Sequence, residues 1–227
     1  MHILDEALFE RAIQWVASQV GEESVRDARQ AFELRTGSVE EADPDFESRM
    51  AQFFEHWLCE RSTPPSWIEQ FCAATALGDE ERRQLAGWQR SHRGLFEFRG
   101  FEATGGLVHD VLRGGRYRFS PGPRDRELTP GDRFDGRLIA DQHRLWLSPG
   151  RAYQPRAAHV ALDKLLAEPE LRRRPTESVL DGLLRMRNRF QRFASIRPEH
   201  VYRLEDLADA PFAAPWAKAA SRANRRS

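Results

Sequence analysis

The chain has little cysteine, almost no lysine and no long apolar run. Two Cys in 227 residues are too few for a disulfide framework and fit a reducing compartment, so a cytoplasmic protein is expected. No stretch approaches the roughly 18 apolar residues of a membrane-spanning helix, and no membrane partner is expected. The opening residues, Met1-His-Ile-Leu-Asp-Glu6, are acidic, unlike a secretory leader. Also missing are a Gly-x-x-x-x-Gly-Lys loop, a Gly-x-Gly-x-x-Gly turn after a strand and a Gly-x-Ser-x-Gly elbow. Their absence removes the best-marked nucleotide-binding and hydrolase classes. No internal repeat is present.

What is there is charge, unevenly distributed. The net charge is zero. Residues 1–80 nevertheless carry 6 Arg against 17 Asp plus Glu, and residues 81–227 carry 29 basic against 18 acidic side chains. The two parts therefore hold −11 and +11. Such a split implies that the halves attract one another within the chain or across a dimer, or that they meet partners of opposite sign. The basic side chains are Arg except for Lys164 and Lys218.

Apolar spacing divides the chain. A helical region is expected over 1–91, a small β domain over 92–152, C-terminal helices over 153–208 and a flexible basic tail over 209–227. Leu4, Leu8, Trp15 and Val16 recur at helical spacing until Gly21. Ser24 opens a second helix carrying Val25, Ala28 and Phe32. Asp43-Pro44 reads as an N-cap with Pro at the first helical position. The helix that follows carries Phe46, Met50, Phe53, Phe54, Trp57 and Leu58 as a wide apolar stripe. Phe53, Phe54 and Trp57 are expected to be core. Pro64-Pro65 breaks the chain, and helices with Ile68, Phe71 and Cys72, then Leu85 and Trp88, follow.

From Gly94 the apolar period changes from 3.6 to 2. Phe96 and Phe98 alternate with Glu97 and Arg99. Leu107–Leu112 and Arg116–Ser120 are further strands joined at Gly114-Gly115, a hairpin signal. Thr129-Pro-Gly-Asp132 is a turn. Phe134, Gly136 and Leu138 then alternate with Arg133, Asp135 and Arg137, and Arg144–Leu147 is a last strand. Short strands so closely spaced predict a small antiparallel barrel or twisted sheet, and the fold class is α+β. Beyond it, Pro155 opens a helix with Val160, Leu165 and Leu166. A final helix runs from Thr176 to Phe193, with Val179, Leu183, Met186, Phe190 and Phe193 as its apolar stripe.

Three groups of residues invite chemistry. His56 and Cys59 lie one helical turn apart with Cys72 on the next helix, a pattern that a thiol nucleophile or zinc would use. Both thiols sit among aromatic residues, so they are expected to be inert and unbridged. His109-Asp110 has the residue types of a metal phosphohydrolase without its further ligands. Asp125, Asp132 and Asp135 would hold a cation only if they met at one rim. No catalytic residue, cofactor or metal site is therefore assigned.

The candidate binding surface is basic. Arg116 and Arg118 flank Tyr117 on a strand, suited to phosphates and a stacked base. Arg185, Arg189 and Arg192 recur on one face of the last helix. A non-enzymatic binding or adaptor module that contacts another protein or itself is expected, with nucleic-acid binding as the alternative.

Phe53-Phe-Glu-His-Trp57-Leu, Gly94-Leu-Phe-Glu-Phe98 and Gly131-Asp-Arg-Phe-Asp-Gly-Arg-Leu138, in that order over residues 45–150, resemble segments of a bacterial family with no established activity. The resemblance implies a helical region followed by a small β-barrel-like domain. It transfers no site.

Overall fold

The computed structural model describes residues 6–60, 65–141, 144–193 and 195–207. Leu4, Pro64, Lys218 and the expected tail over 209–227 lie outside the described residues. The chain is α+β. Four helices, α1 (Glu6–Thr36), α2 (Phe46–Cys59), α3 (Trp67–Ala74) and α4 (Asp79–Gln89), precede six strands. The strands are β1 (His92–Glu102), β2 (Gly105–Asp110), β3 (Arg116–Phe119), β4 (Arg133–Asp141), β5 (Arg144–Leu147) and β6 (Ala152–Tyr153). Two further helices, α5 (His159–Leu166) and α6 (Thr176–Arg192), follow. Helix α1 is broken at Gly21, whose φ of 78° is non-helical.

The elements gather into two compact units. One comprises Met1–Gln19 with Glu47–Tyr153, the other Val20–Phe46 with Gln154–Ser227.

In the first unit the sheet runs β3-β2-β1-β4-β5, all neighbours antiparallel, with β6 against β4. Three hairpin-connected strands with the fourth returning beside the first make a Greek key. The two ends of the sheet then meet, because Ser120 N–H donates to the Leu145 carbonyl at 2.7 Å. That contact gives the cyclic order β1-β2-β3-β5-β4, a five-stranded, partly open barrel.

Curling depends on β1. Its first half pairs with β4 and its second half with β2, and the register shifts between Phe98 and Gly100. Gly100 has φ 127°, which only glycine adopts without strain, so the strand can bulge and bend there. Alternation then sends Phe96, Phe98, Val108, Phe119, Phe134, Leu138 and Leu147 into one buried cluster.

Aromatic contacts tie the helices of this unit together. Phe9 stacks on Trp88 with ring centres 3.9 Å apart. Trp15 meets Phe71 at 5.7 Å, and Trp57 meets Trp67 at 6.3 Å. Ser66 and Glu69 form a capping box at the start of α3. Helix α4 lies close enough to β4 that a Cβ on Gly87 would stand 2.4 Å from the Ala140 carbonyl oxygen. Of the three aromatic residues expected in the core, Phe53 is buried, while Phe54 and Trp57 are half-buried because their rings lie along the margin of α2.

In the second unit α6 is buried almost all round, so the expected single stripe understates its contacts. Leu180, Asp181, Leu184 and Arg187 are buried as well as Val179, Leu183 and Met186. Phe193 is 55% exposed, because the helix ends at Arg192 and Phe193 leaves the helical path. Val160, expected on the inner face of its helix, is 64% exposed, and Ala161 and Leu162 are buried beside the expected Leu165. The helix begins at His159 after a 3-10 turn, which rotates its inner face away from Val160. Likewise α2 begins at Phe46 rather than after Asp43; the Asp43 carboxylate accepts the Glu40 N–H at 2.8 Å and closes a turn instead.

Truncating Phe53 to Ala is expected to cost about 3–5 kcal/mol in urea unfolding, as for other buried aromatic side chains. Trp57→Ala should cost less. Equal losses would mean that Trp57 is as well packed as Phe53.

Candidate binding face

The outer surface of the barrel divides into a covered part and an open part. Where β1 begins beside β4, the outward residues Arg93, Asp135 and Arg137 are buried. Where β1 ends beside β2 and β3, Glu97, Leu107 and His109 are half-buried, and Arg99, Arg116 and Arg118 are exposed. The same alternation produced both parts, and only packing separates them.

The covered part is a network of buried charge. Arg93 grips Asp135 through two nitrogens, at 3.1 and 2.9 Å. Gln52 of α2 donates to the Asp135 carbonyl at 3.2 Å and accepts from Arg49 at 2.7 Å. Arg151 holds Asp125 at 2.7 Å. Ser48 exchanges hydrogen bonds with the backbone of Arg151, accepting from its N–H at 2.9 Å and donating to its carbonyl. Arg137 is shared by two carboxylates of the α2 end, pairing closely with Glu60 and standing 3.8 Å from Glu55.

Glu55 is 1% exposed, and burial lifts its pKa to about 7 against the pull of Arg137, the Gly150 N–H and Ser148. Glu60 is the more exposed of the two carboxylates and pairs closely with Arg137. Cys59 is enclosed by the same elements, and burial pushes its thiol up to about 12. A thiol held in that form is a poor nucleophile. Burial raises Cys72 as well, and both cysteines are free, as expected. His56 Nδ1 bonds to Glu60 at 2.5 Å.

The other candidates from sequence separate in the same way. Asp125 is on Arg151, Asp135 is on Arg93, and Asp132 accepts the Thr129 N–H at 2.8 Å, so the three acids share no cation site. His109 and Asp110 fall on opposite faces of β2. Asp110 points inward to His92 at 2.8 Å and accepts the N–H groups of Leu112 and Arg113, which shapes the turn before Gly114. Burial would raise its carboxyl, but those hydrogen bonds outweigh it and leave the pKa below the ordinary value. Among the described residues no group of three or more His, Cys, Asp or Glu is placed to hold a metal ion.

The basic residues proposed as one surface divide between the units. Arg116 and Arg118 do face solvent on β3. Tyr117 does not lie between them, because a period of two puts it on the inner face. There its ring meets Phe96 edge-on at 6.3 Å and His92 at 5.5 Å. The three helical arginines bind their own unit. Arg185 donates to the carbonyls of Arg35 and Asp206. Arg189 stands 3.7 Å from Asp206, and Arg192 holds Ser38, Glu40 and Asp43. Of these, Arg192 with Glu40 and Asp43 joins acidic N-terminal residues to a basic C-terminal one, as the charge split suggested, and Arg187–Asp45 at 2.7 Å does the same, whereas Arg35–Asp181 at 3.0 Å runs the other way.

The sequence reading missed the residues that complete the open part of the barrel. In register, Arg133 of β4 faces Glu97 of β1, Glu97 faces His109 of β2, and His109 faces Arg116 of β3. Arg99 pairs with Glu97 at 2.9 Å and approaches His109 Nδ1 at 3.4 Å. Arg133 holds the other side of Glu97 at 3.1 Å. Arg118 pairs with Glu102 at 2.5 Å on the exposed margin. The signal was present in the alternation of Glu97, Arg99, Arg116 and Arg118, but strand pairing was needed to bring them side by side.

The chain matches no family model, no curated protein and no solved structure. No described helix is long and apolar enough to cross a membrane.

Glu55 gives the fold a pH dependence of known sign. An acid whose pKa is raised on folding adds stability fully below its unfolded value of 4.5, and that contribution is lost as the pH rises through about 7. Stability in urea should fall by roughly 3 kcal/mol over that window on account of Glu55. Asp110, with its lowered pKa, acts only at more acidic pH. Glu55→Gln should flatten the window; an unchanged slope would mean that Glu55 is ionised throughout.

Proposed function

We propose that this protein is a non-enzymatic cytoplasmic binding module that meets its partner on the outer face of β1, β2 and β3. The observation that carries this reading is the division of charge within the first unit. Arg93, Arg137 and Arg151 are enclosed with carboxylates that neutralise them, whereas Arg99, Arg116 and Arg118 stand in solvent on one continuous sheet surface. Glu55 and Cys59, whose proton affinities burial raises, are held inside that structural network and not in an open cleft. The two free thiols support a reducing compartment.

The partner classes considered from composition were a second protein, a second copy of this chain, and nucleic acid. Exposed arginines flanking a half-buried imidazole favour the last of these. The face itself is tested by affinity capture from the host cell. Arg116→Glu/Arg118→Glu should lose the material that wild type retains, and Arg172→Glu/Arg173→Glu, at exposed positions of the second unit, should keep it. Equal capture by both variants would remove this face from consideration.

A further inference from the structure

We infer that the ligand of the β1–β2–β3 face is single-stranded nucleic acid; this rests on the binding-module reading above and gives it a partner. The face alternates cations with flat surface. Arg116 and Arg118 are two residues apart on β3, roughly 7 Å along the strand. Arg99 rises from β1, with its guanidinium 3.4 Å from His109. These three exposed arginines border His109 and Leu107, which are half-buried and lie directly opposite Arg116 and Arg118 in the ladder. A single strand offers the complementary pattern. Its phosphates suit the planar, permanently charged guanidinium groups, and its unstacked bases present faces to an imidazole ring.

The acidic residues on this face do not oppose that ligand strongly. Glu97 is neutralised from both sides, by Arg99 at 2.9 Å and Arg133 at 3.1 Å. Glu102 lies at the margin and touches Arg118 through an exposed pair, which a phosphate displaces at little cost. The face is a shallow sheet with no helix or ribbon projecting from it, so it has nothing to enter the groove of a duplex. Small Greek-key barrels of the OB type bind oligonucleotides across the face of their second and third strands. That likeness is one of topology alone; the side chains of this face are what suit it to a single strand.

The test uses the full chain and a labelled oligothymidylate of about 12 nucleotides, read by fluorescence anisotropy as salt is raised. Binding should weaken linearly in log salt. Arg116→Gln/Arg118→Gln should reduce the slope by about 1.4, two phosphate contacts at about 0.7 each. His109→Ala should weaken binding about tenfold and leave the slope unchanged, because stacking releases no counterions. A duplex of equal length should bind more weakly. Arg172→Gln/Arg173→Gln should bind as wild type, and thermal melting of every variant checks that each is folded. No salt-dependent binding at about 50 mM salt overturns the inference. So does an unchanged slope in the double arginine variant. Tighter binding to an acidic peptide of equal charge than to the oligonucleotide also overturns it. If oligonucleotides fail while affinity capture still depends on Arg116 and Arg118, the inference falls and the binding face remains. If capture is also indifferent to those residues, both fall.

Discussion

Removing arginine from water is the constraint on which the first unit depends. Arg49, Arg93, Arg137 and Arg151 are all buried. An isolated buried charge is prohibitive, and a buried pair offsets its desolvation only when the geometry is good. Each acid partner must therefore be delivered accurately: Asp135 by the register of β4, Asp125 by the 3-10 turn before β4, Glu55 and Glu60 by the end of α2. A shift of one residue in β4 would turn Asp135 and Arg137 into the barrel and Phe134 and Leu138 out of it. Such a network contributes less to net stability than to the choice of one packing over its neighbours. Gly150 reflects the same demand, because a Cβ there would stand 2.7 Å from both the Gln52 nitrogen and a Glu55 carboxylate oxygen.

The second unit meets a similar demand with a different outcome. Arg35, Arg185 and Arg187, buried or half-buried, sit on helices, where neighbouring turns and loops supply carbonyl oxygens as well as carboxylates. Arg185 ends on two backbone carbonyls, and Asn188 donates to the carbonyl of Thr36 at 3.2 Å. The C-terminal end of a helix has unpaired carbonyls, and side chains from α6 satisfy those at the end of α1. Of the arginine stripe that looked like a docking surface, Arg185 helps cap α1, while Arg189 and Arg192 pair with acids of their own unit.

Much of the fold was legible because its signals were local. The turn at Thr129–Asp132 and the Gly114-Gly115 hairpin each carry their own stereochemistry and lie where the strands turn, and the change of period at Gly94 falls two residues inside β1. The helix break at Gly21 was legible for the same reason. Three kinds of information were not. The end of an apolar stripe is set by what packs on it, so Val160 and Phe193 were placed inward when they are exposed. The outward face of a strand reads alike whether a helix covers it or water does, so Arg93 and Arg116 could not be told apart. The candidate face was half legible. Arg116 and Arg118 were identified, and Tyr117 was grouped with them although strict alternation already assigns it to the other side. His109 and Arg99 belong to the face only because β1, β2 and β3 are neighbours, which no short stretch of sequence states.

The interleaving of the two units has a consequence for synthesis. Val20–Phe46 and the segment from Gln154 onward form one unit, and the chain between them forms most of the other. A ribosome therefore releases the early segment, with Phe32 and Val39 that are buried in the finished protein, roughly a hundred residues before its partner exists. At about 5–20 residues per second that interval is about 5–20 s. During it the barrel can close, since its strands emerge consecutively, but residues 20–46 must wait with their apolar side chains uncovered. The acidic character of this part of the chain gives the waiting segment a way to stay dispersed: mutual repulsion discourages nascent copies from coalescing until α6 arrives with the arginines that neutralise it.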